Sequence, residues 1–286
     1  PSPVLFTSVY GGEDYDASLE QKDWSKSVFN DAHWKNAMIV KESSGTLVPE
    51  QDYPVKIQDS SQVKKIIKVQ PGKYVYDFGQ NYSGIIALKI KGKKGQVVKL
   101  TPAELLTKDQ LPNQSASGGP YYFTYTLKGD GIESWRPRFT YYGFRYVMVE
   151  GASPEPSSDE DHARIISLVS LHTRNASPAT GSFHCSNPLF NQINDLIQWA
   201  IKSNLQSVIT DCPHREKLSW LEQDYLMGNS IHYNYDVYHL LKKIVQDMIE
   251  AQLPNGLVPD IAPELVVFGR GFRDSPEWGS ASVMVP

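Results

Sequence analysis

The chain has 286 residues, 40% of them hydrophobic and 21% charged, with a formal net charge of -4. That is the balance of a globular protein with a sizeable core, and the length suits one large or two ordinary domains. It excludes several classes: no basic stretch is dense enough to expect nucleic acid as a partner, no apolar run is long enough to expect a membrane span, and two cysteines cannot build a disulfide framework.

The first two-thirds of the chain reads as strands. "KYVYDFGQNYSGIIALKIKGKKGQVVKLTPAELL" alternates β-branched and aromatic residues, with breaks expected at Gly84 and at the KGKK turn, Lys91–Lys94, read as a hairpin. Ile86, Leu88 and Ile90 share one face by period two. "YYFTYTLKGDGIESWRPRFTYYGFRYVMVEG" repeats the pattern, with turns expected at Gly129–Gly131 and near Gly143. Strands at this spacing predict an antiparallel sandwich. "LPNQSASGGP" is a polar loop, and Ser153–Ser158 is a turn or linker. Trp24, Trp34 and Trp135 are expected in the core. Asp77, Asn81 and Glu104 are assigned turn and strand-end roles.

The period changes after about Ala176. Leu189, Ile193, Leu196, Ile197, Ala200 and Ile201 recur at helical spacing, with Ser186 or Asn187 as cap and Pro188 in the first turn. Val237, Leu240, Leu241, Ile244, Val245 and Met248 form a second stripe, and Leu218 to about His232 a helix between them. A few helices with such wide apolar stripes cannot bury one another, so the helical domain is expected to continue past Pro286.

"TDCPHREKLSWLEQD", Thr210 to Asp224, crowds four acids, an Arg, a Lys, a His and a Trp around a Cys-Pro turn. If the helix begins at Glu216, Trp220 lies one turn later and Gln223 two turns later on the same face. Two readings stay open. Glu216 is a first-turn acid facing the helix dipole, the plainer one, or it lines a polar pocket with Asp211 and Trp220. A zinc site from His184, Cys185, Cys212 and His214 is disfavoured by its spacing.

"TDCPHREKLSWLEQ" resembles the signature of the inverting α-L-rhamnosidase family of bacterial glycoside hydrolases. So do "QLPNGLVPDIAP" and "GFRDSPEWGSASVMVP" downstream. "YDFGQNYSG", "AELL" and "RPRFTYYGFRYVMVEG" are similar to the β-sandwich before that family's catalytic domain, and "GGEDYDA" with "WSKSVFNDAHWKNA" to the end of a still earlier sandwich. The resemblance implies a multidomain chain: residues 1–50 ending an upstream sandwich, 51–175 an antiparallel β-sandwich, and 176–286 the first helices of an incomplete (α/α)6 barrel.

It further implies that Glu216 is the general acid, with Trp220 in the sugar pocket and Asp211 bonding rhamnose hydroxyls. Family members often carry an Asp seven residues after the acid. Here Gln223 stands at that position, flanked by Glu222 and Asp224, and all three are candidates. Asp274, Glu277 and Trp278 resemble further pocket residues. The general base lies beyond Pro286, so this chain alone is expected to be inactive. The expected substrate is a rhamnose-containing glycan or glycoside, with water and neither metal nor organic cofactor. The rival reading is a sandwich that binds carbohydrate without cutting it. Compartment and oligomeric state stay open.

Overall fold

The computed structural model describes residues 2–40, 45–156, 161–269 and 272–285. Thirteen strands come first among them: β1 (Val4–Ser8), β2 (Gly12–Asp16), β3 (Val55–Gln62), β4 (Lys65–Gln70), β5 (Lys73–Lys91), β6 (Val97–Ala103), β7 (Leu105–Leu106), β8 (Pro112–Asn113), β9 (Tyr122–Thr126), β10 (Ile132–Trp135), β11 (Tyr142–Glu150), β12 (Ala152–Pro154) and β13 (Ala163–Asn175). The helices follow: α1 (Pro188–Asn204), α2 (Leu221–His232), α3 (Tyr238–Ala251) and two single turns, α4 (Pro276–Gly279) and α5 (Ala281–Met284).

The strands curl into a β-sandwich, hydrogen-bonded as one 11-stranded sheet in the order β1-β2-β9-β6-β11-β5-β13-β12, with β10 and β4 also on β5 and β3 on β13. Pairing is antiparallel except for β2 with β9 and β12 with β13. Strand β5 is the spine, because β4, β10, β11 and β13 all pair with it, and on either side of a register shift between Asp77 and Tyr82 its even-numbered residues point into the core. Tyr74, Tyr76, Phe78, Ile86, Leu88 and Ile90 are all buried and pack on Leu100, Phe123, Tyr125, Trp135 and Phe144. Each such side chain contributes about 1.5–3 kcal/mol on burial.

Several expectations are corrected here. Gly84 does not break β5. A Cβ there would lie 2.2 Å from the Leu171 carbonyl, so glycine serves the close approach of β13. Gly143 sits inside β11 and marks no turn. The KGKK stretch is a turn but not a hairpin, since β11 lies between β5 and β6. The polar loop from Leu111 holds a short strand, β8, and the expected linker begins with β12 on the sheet, while Ser157 and Ser158 lie outside the described residues. Trp135 is in the core as expected, but Trp24 and Trp34 are exposed. The earliest strands, β1 and β2, join the same sheet through β9.

Helix α1 starts as the sequence predicts, with Asn187 Oδ1 accepting the Leu189 N–H at 3.0 Å and Pro188 at the first turn. One side of α1 packs on the sheet, where Trp199 stacks on Tyr82 at 5.6 Å. Its apolar stripe is largely uncovered, with Leu196 72% exposed and Leu189 58%. The α3 stripe is buried, with Val237, Leu240, Ile244 and Met248 packing beside Ile201, Leu205 and Leu221.

Candidate active site

The segment from Thr210 to Trp220 leaves the end of α1 and crosses the rim of the sheet. It begins as a closed loop, with Asp211 N–H donating to Leu218 O at 3.2 Å and Leu218 N–H to Asp211 Oδ1 at 3.3 Å. The Pro213 carbonyl accepts the Gly143 N–H of β11 at 2.9 Å. Glu216 N–H donates to Cys212 Sγ at 3.3 Å, and its carbonyl accepts the Tyr10 hydroxyl at 2.9 Å. Helix α2 starts only at Leu221, three residues after the expected Leu218, and the condition of a helix beginning at Glu216 is not met. Two features override the helical propensity of "REKL". Lys217 has a left-handed backbone, φ 53°, and Trp220 is extended in a bridge with Ile261.

The expected neighbours still meet. Trp220 Nε1 donates to Glu216 Oε2 at 2.8 Å, and the Arg215 guanidinium holds Oε1. The Glu216 side chain is 31% exposed, so its carboxylate faces the surface with one oxygen on each donor. Asp211 is half-buried. Burial pushes its carboxyl above the usual range, and the charge of Glu216 adds to the shift. The Cys212 thiol is raised by burial and by Asp211, which keeps it protonated. Cys212 therefore serves the backbone of Glu216, and no group of three His, Cys, Asp or Glu is placed to hold a metal among the described residues.

The far side of Trp220 is an aromatic wall. Phe268 stacks on it at 5.1 Å, with Phe272 at 5.7 Å and Trp278 at 6.3 Å. Asp260 is the buried hinge behind this wall, accepting Ser275 N–H at 2.6 Å and Ser275 Oγ–H at 3.1 Å, while its carbonyl accepts Leu221 N–H at 2.9 Å. Arg273 grips Glu264 through two bonds of 2.6 and 2.8 Å. Aromatic faces beside a carboxylate form a surface suited to the apolar face and hydroxyl rim of a sugar.

Three models of bacterial α-L-rhamnosidase domains match successive stretches: the N-terminal domain over residues 1–59, the concanavalin-like domain over 67–169 and the six-hairpin glycosidase domain over 178–286. The chain belongs to the α-L-rhamnosidase family. It is similar to an α-L-rhamnosidase of Formosa agariphila, 32% identical across 99% of this chain and 30% of that protein. A Streptomyces avermitilis α-L-rhamnosidase is 33% identical across 99% and 27%. Among solved structures, the α-L-rhamnosidase from Dictyoglumus thermophilum superimposes with a TM-score of 0.89 at 34% identity, over 99% of this chain and 31% of that one. The Streptomyces avermitilis α-L-rhamnosidase complexed with L-rhamnose gives 0.86 at 31% identity, over 99% and 27%. The chain thus spans about 30% of the length of the rhamnosidases it matches.

Of the residues expected at a rhamnosidase site, Asp211, Glu216, Trp220 and Trp278 are brought together. Glu222 and Gln223 are half-buried in the first turn of α2. Asp224 is buried, with neither carboxyl oxygen hydrogen-bonded, and faces α3, where Asp247 lies. Glu277 is exposed in α4, and Asp274 lines a shallow depression of about 300 Å³ with Leu257 and Ser282, away from Glu216. A cleft of about 830 Å³ on the sandwich, beside Trp135 and Arg136, shares no residue with the Glu216 turn. Sequence reasoning missed Phe268, Phe272, Asp260, Tyr10 and Lys217. The two phenylalanines and Asp260 flank or sit within the quoted family motifs and were within reach. Tyr10 and Lys217 also flank or sit within quoted motifs, but nothing local marks their bonds, whose partners lie far away along the chain.

Proposed function

We propose that this chain carries the general-acid half of an inverting α-L-rhamnosidase, and that the complete protein removes terminal α-linked L-rhamnose from glycans or glycosides. The observation that carries the reading is the Glu216 carboxylate, held between Trp220 Nε1 and Arg215 at the edge of an aromatic wall. Glycoside hydrolysis needs a proton donor at the leaving oxygen and a base for water, about 6.5–9.5 Å apart in an inverting enzyme. Glu216 is the donor. Of its two partners Arg215 is the more exposed, so its displacement by substrate frees Oε1 for the glycosidic oxygen. Trp220 keeps Oε2 fixed. Asp211 and Trp278 contact the sugar, with Glu222, Gln223, Asp224, Asp274 and Glu277 as further candidate contacts. The base belongs to a part of the protein outside these 286 residues, so the chain alone turns over no substrate.

The domain reading goes with this: residues 1–50 end an upstream sandwich whose strands β1 and β2 join the sheet of 51–175 through β9, and 176–286 open the helical barrel. The test is hydrolysis of a rhamnosyl disaccharide by the complete enzyme and its Glu216→Gln variant. Loss of about 100-fold or more in kcat is expected for removal of a general acid. A variant with unchanged kcat overturns the assignment.

A further inference from the structure

Lys217, the residue after Glu216, combines two unfavourable features. Its left-handed φ of 53° is a conformation that a residue with a Cβ seldom adopts. Its side chain is 6% exposed, and it forms no ion pair among the described residues. An ammonium buried without a carboxylate is expensive. Burial draws its pKa down to about 7, with the neighbouring Cys212 acting the other way. Backbone strain and an uncompensated charge in one residue are the kind of cost a fold tolerates at a working site.

The side chain is nonetheless tightly engaged. Nζ donates to Val9 O and to Tyr141 O, both at 2.6 Å. It also lies over the rings of Tyr121 and Tyr141, each at 4.8 Å, and Tyr142 at 5.4 Å. The first carbonyl belongs to the turn between β1 and β2, the second to the entry of β11. Lys217 therefore ties the Glu216 turn to two separate parts of the sandwich. The peptide of Glu216 is fixed from the same side, since Tyr10 bonds its carbonyl. The only soft torsions left between this anchorage and the carboxylate are those of the Glu216 side chain.

We propose that Lys217 is the positioning residue for the general acid: its buried ammonium, shared between the carbonyls of Val9 and Tyr141, fixes the turn that aims the Glu216 carboxyl at the leaving oxygen. This rests on the reading of Glu216 as the acid. A misplacement of about 1 Å at a reacting group can cost about 100-fold in rate. The loss falls on proton donation, so it depends on how much the leaving group needs a proton.

The experiment compares two substrates in the complete enzyme, a rhamnosyl disaccharide and a 2,4-dinitrophenyl α-L-rhamnoside. The dinitrophenolate departs with little help. Lys217→Met is expected to lower kcat about 10- to 100-fold on the disaccharide and only a few-fold on the dinitrophenyl substrate, with KM little changed. Lys217→Arg, which keeps the charge and two donors, is expected to recover part of the disaccharide rate. If Lys217→Met does not fold, Lys217→Gln carries the same comparison. Equal losses on both substrates mean a general structural role and overturn the proposal, as does no loss. Glu216→Gln run beside it separates the two ideas. A Glu216→Gln variant that discriminates while Lys217→Met does not leaves the acid standing and removes Lys217. A Glu216→Gln variant that responds equally on both substrates removes the acid and the proposal with it.

Discussion

Asp224, like Lys217, is a buried titratable side chain, and its carboxyl has no hydrogen-bond partner among the described residues. Both its oxygens lack a hydrogen bond, and burial, then the charge of Asp247, raises its carboxyl well above the ordinary 3.8. The folded chain holds a proton that the unfolded chain releases, so its contribution to stability falls as pH rises above about 3.8. Asp224→Asn removes that slope. It is expected to stabilise the protein by about 1–3 kcal/mol at pH 7 and to match the parent near pH 3. Urea midpoints at the two pH values check this, and an Asn variant no more stable at pH 7 would refute it. The neighbouring residues Gln223 and Glu222, half-buried beside Trp220, remain the better candidates for sugar contact. Spacing alone treated all three alike, because their burial is decided by how α2 lies against α3.

At the scale of elements, glycine and charge were the misleading signals. Gly84 and Gly143 read as turns because glycine usually marks them. Both lie inside strands where another backbone or ring comes too near for a Cβ. At Gly143 a Cβ would stand 2.6 Å from Pro213 Cγ and 2.9 Å from Glu104 Oε1. Gly143→Ala is therefore expected to cost about 1–3 kcal/mol by overpacking and to push the Pro213 turn off β11. A thermal melt and the disaccharide rate should fall together, and an unchanged melt would count against the close fit. The charged run at Glu216 read as a helix start because Glu, Lys and Leu are good helix formers. Long-range bonds to Tyr10, Val9 and Ile261 hold it as a non-helical turn instead. The strand core, the α1 cap and the α3 stripe were legible because period and capping are local. The uncovered α1 stripe was legible too, as apolar surface without a partner.

At the scale of the molecule, the sandwich and the helices share a polar and aromatic seam. Asn175 donates to Asp52 Oδ2 at 2.7 Å, its N–H donates to Leu205 O at 2.8 Å, and Gln206 Nε2 reaches Ser83 Oγ and Thr173 O, both at 3.1 Å. His172 sits in this seam against Tyr82 and Trp199, with Nδ1 2.8 Å from Ser83 O. Burial pulls its pKa from 6.5 down to about 4. The unfolded chain binds a proton there that the folded one refuses, so stability is lost as pH falls from 6.5 towards 4. That shift corresponds to about 3 kcal/mol. His172→Gln is expected to flatten the loss over this window. Denaturant titrations at pH 6.5 and 4 check it, and parallel slopes for parent and variant would dismiss the role.

The hydroxyl of Tyr10 and the carbonyl of Val9 meet residues 206 and 208 positions away. The turn that carries Glu216 therefore takes its final shape only with these distant partners in place. Until the opening ribbon has been laid into the sheet, the Glu216 side chain cannot be aimed. On the proposed reading, a helical unit excised from its sandwich would keep its sequence and lose its aim, so the sandwich would be a working part of the catalyst and not a handle attached to it.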